Sequence, residues 1–241
     1  ISRVFGAGLA LLFVAFASSA QQQTPRTPYD VTNYKMDVQL SPGENKLSAT
    51  VDVTFVPQSE TRSIAFELNG SLNVESITRI GSSVPTSAPT VSAPQQPKTK
   101  TPAKTVSTQS QNQVTFVQDR VGVSDLGPSV KVDLGDNVPA GAPVTLRFKY
   151  SGVLVSAEGG PLLTKRLAYL GANNGYLMYA ARWFPFHDYA ADRATSDITI
   201  TIPSGFTLAG YSDSPVSNAG GRYHFVQSKP GLIGNFAYDR Y

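Results

Sequence analysis

From Tyr34 onward the apolar residues fall on every second position: Tyr34, Met36, Val38 and Leu40, then, after Ser41-Pro42-Gly43, Leu47, Ala49, Val51, Val53 and Phe55. A period of two places alternate side chains on opposite faces of a strand, so this stretch predicts two strands, each with one buried face, joined by a turn. The rhythm returns at Ile64, Phe66 and Leu68, at Val114 and Phe116, at Val130, Val132 and Leu134, and, after Pro139-Ala140-Gly141, at Val144, Leu146, Phe148 and Tyr150. It closes with Ile198, Ile200 and Ile202, a Pro203-Ser204-Gly205 turn, Phe206 with Leu208, and Tyr223 with Phe225. Short strands punctuated by turns predict an all-β fold of antiparallel sheets, a β-sandwich or a saddle-like sheet domain. No helix longer than a turn or two is needed, and the best helical candidate, Tyr189 to Thr195, is short.

Two stretches interrupt this pattern. Arg3 precedes an apolar run from Val4 to Phe16, followed by Ala17, Ser18, Ser19, Ala20 and three glutamines. That order reads as a signal peptide over 1–20 with a leader linker over 21–28, and it predicts a secreted or periplasmic protein. The run is shorter than the ~20 residues that cross a bilayer, so a membrane is expected only through an uncleaved signal segment. The chain opens with Ile rather than Met and is read as clipped at its 5′ end. Between Gly81 and Asn112 the residues are mostly Pro, Ser, Thr, Gln and Lys, a composition that buries too little surface to offset the entropy of ordering. This segment is expected to be a disordered insertion inside one domain spanning 29–241, or else a linker between two.

Composition narrows the function. Of 241 residues, 41% are hydrophobic and 15% charged, with 20 Gly and 17 Pro, a balance that suits strands and turns. The formal charge of +3 is matched by Lys98, Lys100 and Lys104 in the insertion, which leaves the remaining chain neutral and gives no concentrated basic stripe for nucleic acid. Cysteine is absent, which removes disulfides, thiolate ligands and a cysteine nucleophile.

Candidate chemistry is sparse. The two histidines, His187 and His224, stand outside any H-E-x-x-H pattern, the spacing that sets two imidazoles one helical turn apart around zinc. His187 beside Asp188 offers two ligands where catalytic zinc takes three, so ordinary polar roles are the stronger reading. Gly210-Tyr211-Ser212-Asp213-Ser214 lacks the last glycine of a nucleophile elbow. Asn69-Gly70-Ser71 fits a glycosylation sequon and also reads simply as a turn. The dense segment is Ala181-Arg182-Trp183-Phe184-Pro185-Phe186-His187-Asp188, continuing to Arg193, Ala194, Thr195 and Asp197. Read from its residues alone, Arg182 and Asp188 form a structural ion pair and Trp183 with Phe184 anchors a corner of the core.

The same segment resembles the signature of the N-terminal domain of the aminopeptidase N family, the gluzincin zinc metallopeptidases. Arg182, Phe184, Pro185, Asp188, Ala194, Thr195, Asp197, Pro203 and Gly205 fall on that signature without a gap, with Arg193 where the family has lysine and Phe186 where it has cysteine. Val31-Thr32-Asn33-Tyr34 and the stretch from Pro139 to Gly152 are similar in character, so the resemblance runs from Tyr29 to Tyr241 around the insertion. It implies a non-catalytic domain of a secreted zinc metallopeptidase that supports a downstream catalytic domain and borders its peptide cleft. Zinc and the peptide substrate would then belong to that missing part, with no cofactor in this chain. One departure concerns Leu177, which stands where the family places a Glu or Gln that holds the substrate's amine, so that role does not carry over. The competing reading is a stand-alone exported β-sandwich that binds a glycan or a protein.

Overall fold

A computed structural model describes residues 28–81, 114–119, 129–156 and 166–240. The expected signal peptide, the leader linker up to residue 27 and the insertion after Gly81, with its three lysines, lie outside the described residues. The strands, in chain order, are β1 (Tyr29–Ser41), β2 (Lys46–Pro57), β3 (Thr61–Phe66), β4 (Asn73–Ile80), β5 (Thr115–Gln118), β6 (Val130–Val138) and β7 (Val144–Val153). They continue with β8 (Ala168–Leu170), β9 (Gly175–Leu177), β10 (Ala194–Thr201), β11 (Thr207–Gly210), β12 (Ser217–Ala219), β13 (Arg222–Gly231) and β14 (Phe236–Asp239).

The alternation read from the sequence is the burial pattern observed. Tyr34, Met36, Val38 and Leu40 of β1 are buried and pair in register with Val53, Val51, Ala49 and Leu47 of β2. Between them the chain reverses through a 3₁₀ turn at Pro42–Glu44, closed by Asn45 in the left-handed region at φ 51°, which asparagine tolerates better than most residues. Asp192 N–H bonds the Asp188 carbonyl at 3.1 Å, but this single turn does not continue: Tyr189 to Thr195 is not a helix, because β10 begins at Ala194.

Seven strands form the main sheet in the order β12-β13-β10-β1-β2-β7-β4. Its pairs are antiparallel except β1 with β10, which run parallel with Met36 opposite Ile198 and Val38 opposite Ile200. The sheet is thus mixed rather than purely antiparallel. A long connection separates these two strands in sequence, and parallel neighbours require such a crossover. Two smaller antiparallel sheets, β11-β14-β9-β8 and β3-β6-β5, contribute to one continuous core with the main sheet. Phe66 of β3 meets Phe148 of β7 edge-on at 5.1 Å between centroids, and Phe225 of β13 meets Phe236 of β14 at 4.9 Å. The main sheet's opposite face is polar and ion-paired: Arg147 grips both oxygens of Asp52 at 2.7 Å, Arg222 reaches Asp37 at 3.1 Å, and His224 bonds Asp197 at 2.8 Å. Among the described residues no helix is long and apolar enough to cross a membrane.

Candidate functional site: the Met178–Arg193 corner

The segment that carries the family resemblance leaves β9 at Leu177 and reaches β10 at Ala194, turning a corner between the four-stranded sheet and the main sheet. Ala181 makes the turn at φ 65°, a conformation an L-residue with a Cβ seldom adopts. Asn69 holds it there. Its backbone N–H donates to the Ala181 carbonyl at 2.7 Å, and its side-chain amide donates to the Arg182 carbonyl at 3.3 Å and the Val155 carbonyl at 2.6 Å. Asn69 is fully buried and its Oδ1 accepts the Ser71 N–H at 3.0 Å, so the Asn-Gly-Ser sequence acts as a turn.

Past the turn, six consecutive side chains from Arg182 to His187 point inward. Trp183 packs edge-on against Phe184 and Phe236, and its carbonyl accepts the Tyr150 hydroxyl at 2.7 Å. Phe184 lies against Tyr34, and Pro185 is buried beside it. Phe186 exchanges two backbone hydrogen bonds with Glu67, at 2.7 and 2.9 Å. That bridge delivers the Glu67 carboxylate to Arg182, whose Nη2 donates to Oε1 at 2.7 Å. The Arg182 side chain is 0% exposed and that of Glu67 12%. Burial pushes the guanidinium below its usual range, and the Glu67 charge works in the other direction.

The expected Arg182–Asp188 pair is therefore corrected: among the described residues Arg182 forms its ion pair with Glu67. Asp188 instead braces the next turn, its Oδ1 accepting the N–H groups of Ala190 at 2.7 Å and Ala191 at 3.3 Å. The reason is geometric. The backbone bridge at Phe186 fixes Glu67 beside the inward-facing arginine, whereas Asp188 is half-buried at the rim. Arg193 is exposed and donates to the carbonyls of Tyr189 at 3.1 Å and Asp192 at 2.6 Å.

His187 is buried in a stack with Tyr29, 3.8 Å between ring centroids, and its Nδ1 lies 3.0 Å from Asp192 Oδ1. The same carboxylate accepts the N–H of Asp188 at 2.9 Å and of Val31 at 3.4 Å, tying the corner to β1. Among the described residues no group of three or more His, Asp or Glu side chains is placed to hold a metal ion. Ser212 is engaged with the backbone of Val226, donating to its carbonyl at 3.2 Å and accepting its N–H at 3.0 Å, a staple from the segment after β11 to β13. Leu177 is 1% exposed, facing into the core of the four-stranded sheet opposite Phe236 and Ala168.

The sequence reading missed Glu67 and Asp192, the two carboxylates that hold the corner. Asp192 lies one turn beyond Asp188 within the dense segment, so it was findable as a local cap. Glu67 lies in a different strand region, and nothing local marks it.

No family model and no curated relative match this chain. Its fold does match solved structures. The M1 zinc metallopeptidase from Deinococcus radiodurans aligns over 88% of this chain with 19% identity and a TM-score of 0.61. A mutant of that enzyme bound to a Tyr-Ser-Ala substrate aligns over the same share at 0.62. The native yeast LTA4 hydrolase aligns over 88% at 13% identity and 0.51. The chain spans 42% of the Deinococcus chains and 29% of the yeast chain. The described architecture is thus the fold of one part of the M1 zinc metallopeptidase structures.

Proposed function

We propose that this chain is the N-terminal, non-catalytic β-domain of an exported zinc metallopeptidase of aminopeptidase type. Its role is to support a catalytic domain and to border the peptide cleft. One observation carries the reading: 88% of this chain aligns with 42% of a two-domain metallopeptidase, while the aligned part holds no metal-binding cluster among its described residues. The zinc, the water it activates and the general base belong to the rest of the polypeptide. Export rests on the sequence pattern of residues 1–20.

Metal analysis and an aminoacyl-arylamide assay, run on the 241-residue chain and on the longer polypeptide of its natural reading frame, test the reading. Zinc and hydrolysis are expected in the longer form only. Zinc-dependent hydrolysis by the 241-residue chain would refute the non-catalytic role, and a reading frame with no further domain would favour the stand-alone binding module.

A further inference from the structure

We propose that the polar face of the main sheet carries a binding cleft for a short, uncharged oligosaccharide. The cleft, of about 530 Å³, opens over β1, β2 and β7 and reaches Glu75 of β4. Small-molecule sites span roughly 300–1,000 Å³, so the space suffices for two or three sugar rings. It is on the face turned away from the core and the corner, and it stands independently of the domain reading. β1, β2 and β7 are interior strands, so their backbone groups are spent on neighbours at both sides and only side chains can meet a ligand. A peptide that binds by adding a strand finds no open backbone edge there.

Strand register fixes those side chains. Asp37 stands opposite Thr50 and Gln39 opposite Ser48, while Thr50 also faces Lys149 and Ser48 faces Ser151. In β4 the register shifts between Val74 and Ser76, and the bulge turns Glu75 over the same face, where its Oε1 accepts the Ser151 hydroxyl at 2.7 Å. Bulges recur where a strand has to re-aim a side chain.

Charge selects the ligand. Two acids, Asp37 and Glu75, are matched by two bases, Arg147 and Lys149, so the cleft has no net charge. Three of the four are already engaged: Arg147 with both oxygens of Asp52, Asp37 with Arg222, and Glu75 with Ser151. A polyanion or polycation would have to break those bonds. The Gln39 amide and the Ser48 and Thr50 hydroxyls line the cleft and make no side-chain hydrogen bond to any described residue. Each of them both donates and accepts, as a sugar hydroxyl does. Asp37 and Glu75 use one carboxylate oxygen each, which leaves the second as an acceptor for a hydroxyl. No exposed aromatic ring lines the cleft, so stacking adds nothing and binding rests on hydrogen bonds exchanged with water.

Calorimetric titration and amide-shift mapping of the 241-residue chain with cellotriose, xylotriose and triacetylchitotriose test the proposal, with trigalacturonate and a Gly-Ser-Gly-Ser-Gly peptide as comparators. At least one neutral trisaccharide is expected to bind with a Kd on the order of 1 mM, shifting Gln39, Thr50 and Lys149 and leaving Val117 of the three-stranded sheet unmoved. Gln39→Ala combined with Thr50→Val is expected to weaken that binding at least about tenfold at an unchanged melting midpoint. Lys149→Ala, at an exposed position, is expected to weaken it about threefold and keeps the test valid if the double variant unfolds. Absence of shifts with all three sugars at about 20 mM would overturn the cleft, as would full binding by folded variants. Trigalacturonate or the peptide binding as tightly as the best neutral sugar would overturn the assignment of its ligand.

Discussion

Glu67→Ala removes the carboxylate from a guanidinium that has no exposure to water. Breaking one side of a buried pair costs roughly 3–5 kcal/mol, because the remaining charge keeps its desolvation penalty and loses the attraction of that carboxylate. Glu67 is 12% exposed, which allows some water to enter and places the expectation in the lower half of that range. A domain of this size loses about 2–4 °C of melting temperature per kcal/mol, so a fall of roughly 6–16 °C is expected. Glu67→Gln keeps an acceptor without the charge and should lose less. Trp183, the only tryptophan, is buried in the same corner, so its emission should shift to longer wavelength in the Ala variant below the global transition. Circular dichroism melts and urea titrations with an unchanged m-value are the assay. Arg62→Ala serves as the control, since that arginine pairs with Asp133 on the exposed surface and its loss should leave the midpoint unmoved. A Glu67→Ala midpoint indistinguishable from that control would refute the view that this pair holds the corner.

Further expectations follow from the same geometry. Asp192→Ala strips an acceptor from His187 and from two backbone N–H groups and should cost about 2–4 kcal/mol in urea unfolding, more than His187→Gln. Asp188→Ala removes the acceptor of the Ala190 and Ala191 N–H groups and should cost at least about 1 kcal/mol in urea unfolding through the lost turn cap. The hydrogen bonds from Ser228 hold the Asp213 carboxyl below its ordinary 3.8, so its stabilising contribution is present above that pH and lost as pH falls through the folded value. Asp213→Asn should therefore flatten the acid limb of the stability profile, with the difference from the parent shrinking below about pH 4 in melts across pH 2–7.

The strands were legible because one face of nearly every long strand enters a single core, which imposes a period of two on the sequence. β4 escaped because a bulge between Val74 and Ser76 breaks that period, and β8 and β9 because three residues cannot establish one. The parallel β1–β10 pair left no local sign, since alternation records which face is buried and not the direction of a distant neighbour. The corner shows the same division. Trp183 and Phe184 were readable as core anchors from their size, but Glu67 meets Arg182 only after β3 and the corner have been brought together by the backbone bridge at Phe186. Sequence proximity favoured Asp188, and the fold chose the partner that the bridge placed in reach.

That dependence on backbone placement decides what position 177 can do. Gly175 admits the Tyr238 ring so closely that a Cβ there would lie 2.5 Å from it, which fixes which side of β9 faces the core. With period two, Leu177 must share that side, and Tyr176 and Met178 must face away; Leu177 is 1% exposed and Met178 39%. Leu177→Glu would therefore bury a carboxylate against Phe236 rather than present it at the surface, at a cost of several kcal/mol or by holding the acid protonated. Met178→Glu in the 241-residue chain should change stability by no more than about 0.5 kcal/mol, as at other exposed positions. Soluble yield and melting midpoint of the two variants, measured side by side at pH 7.5, separate the cases. A Leu177→Glu protein as stable as Met178→Glu would show that β9 can present position 177 to solvent, and the assignment of its inward face would fall.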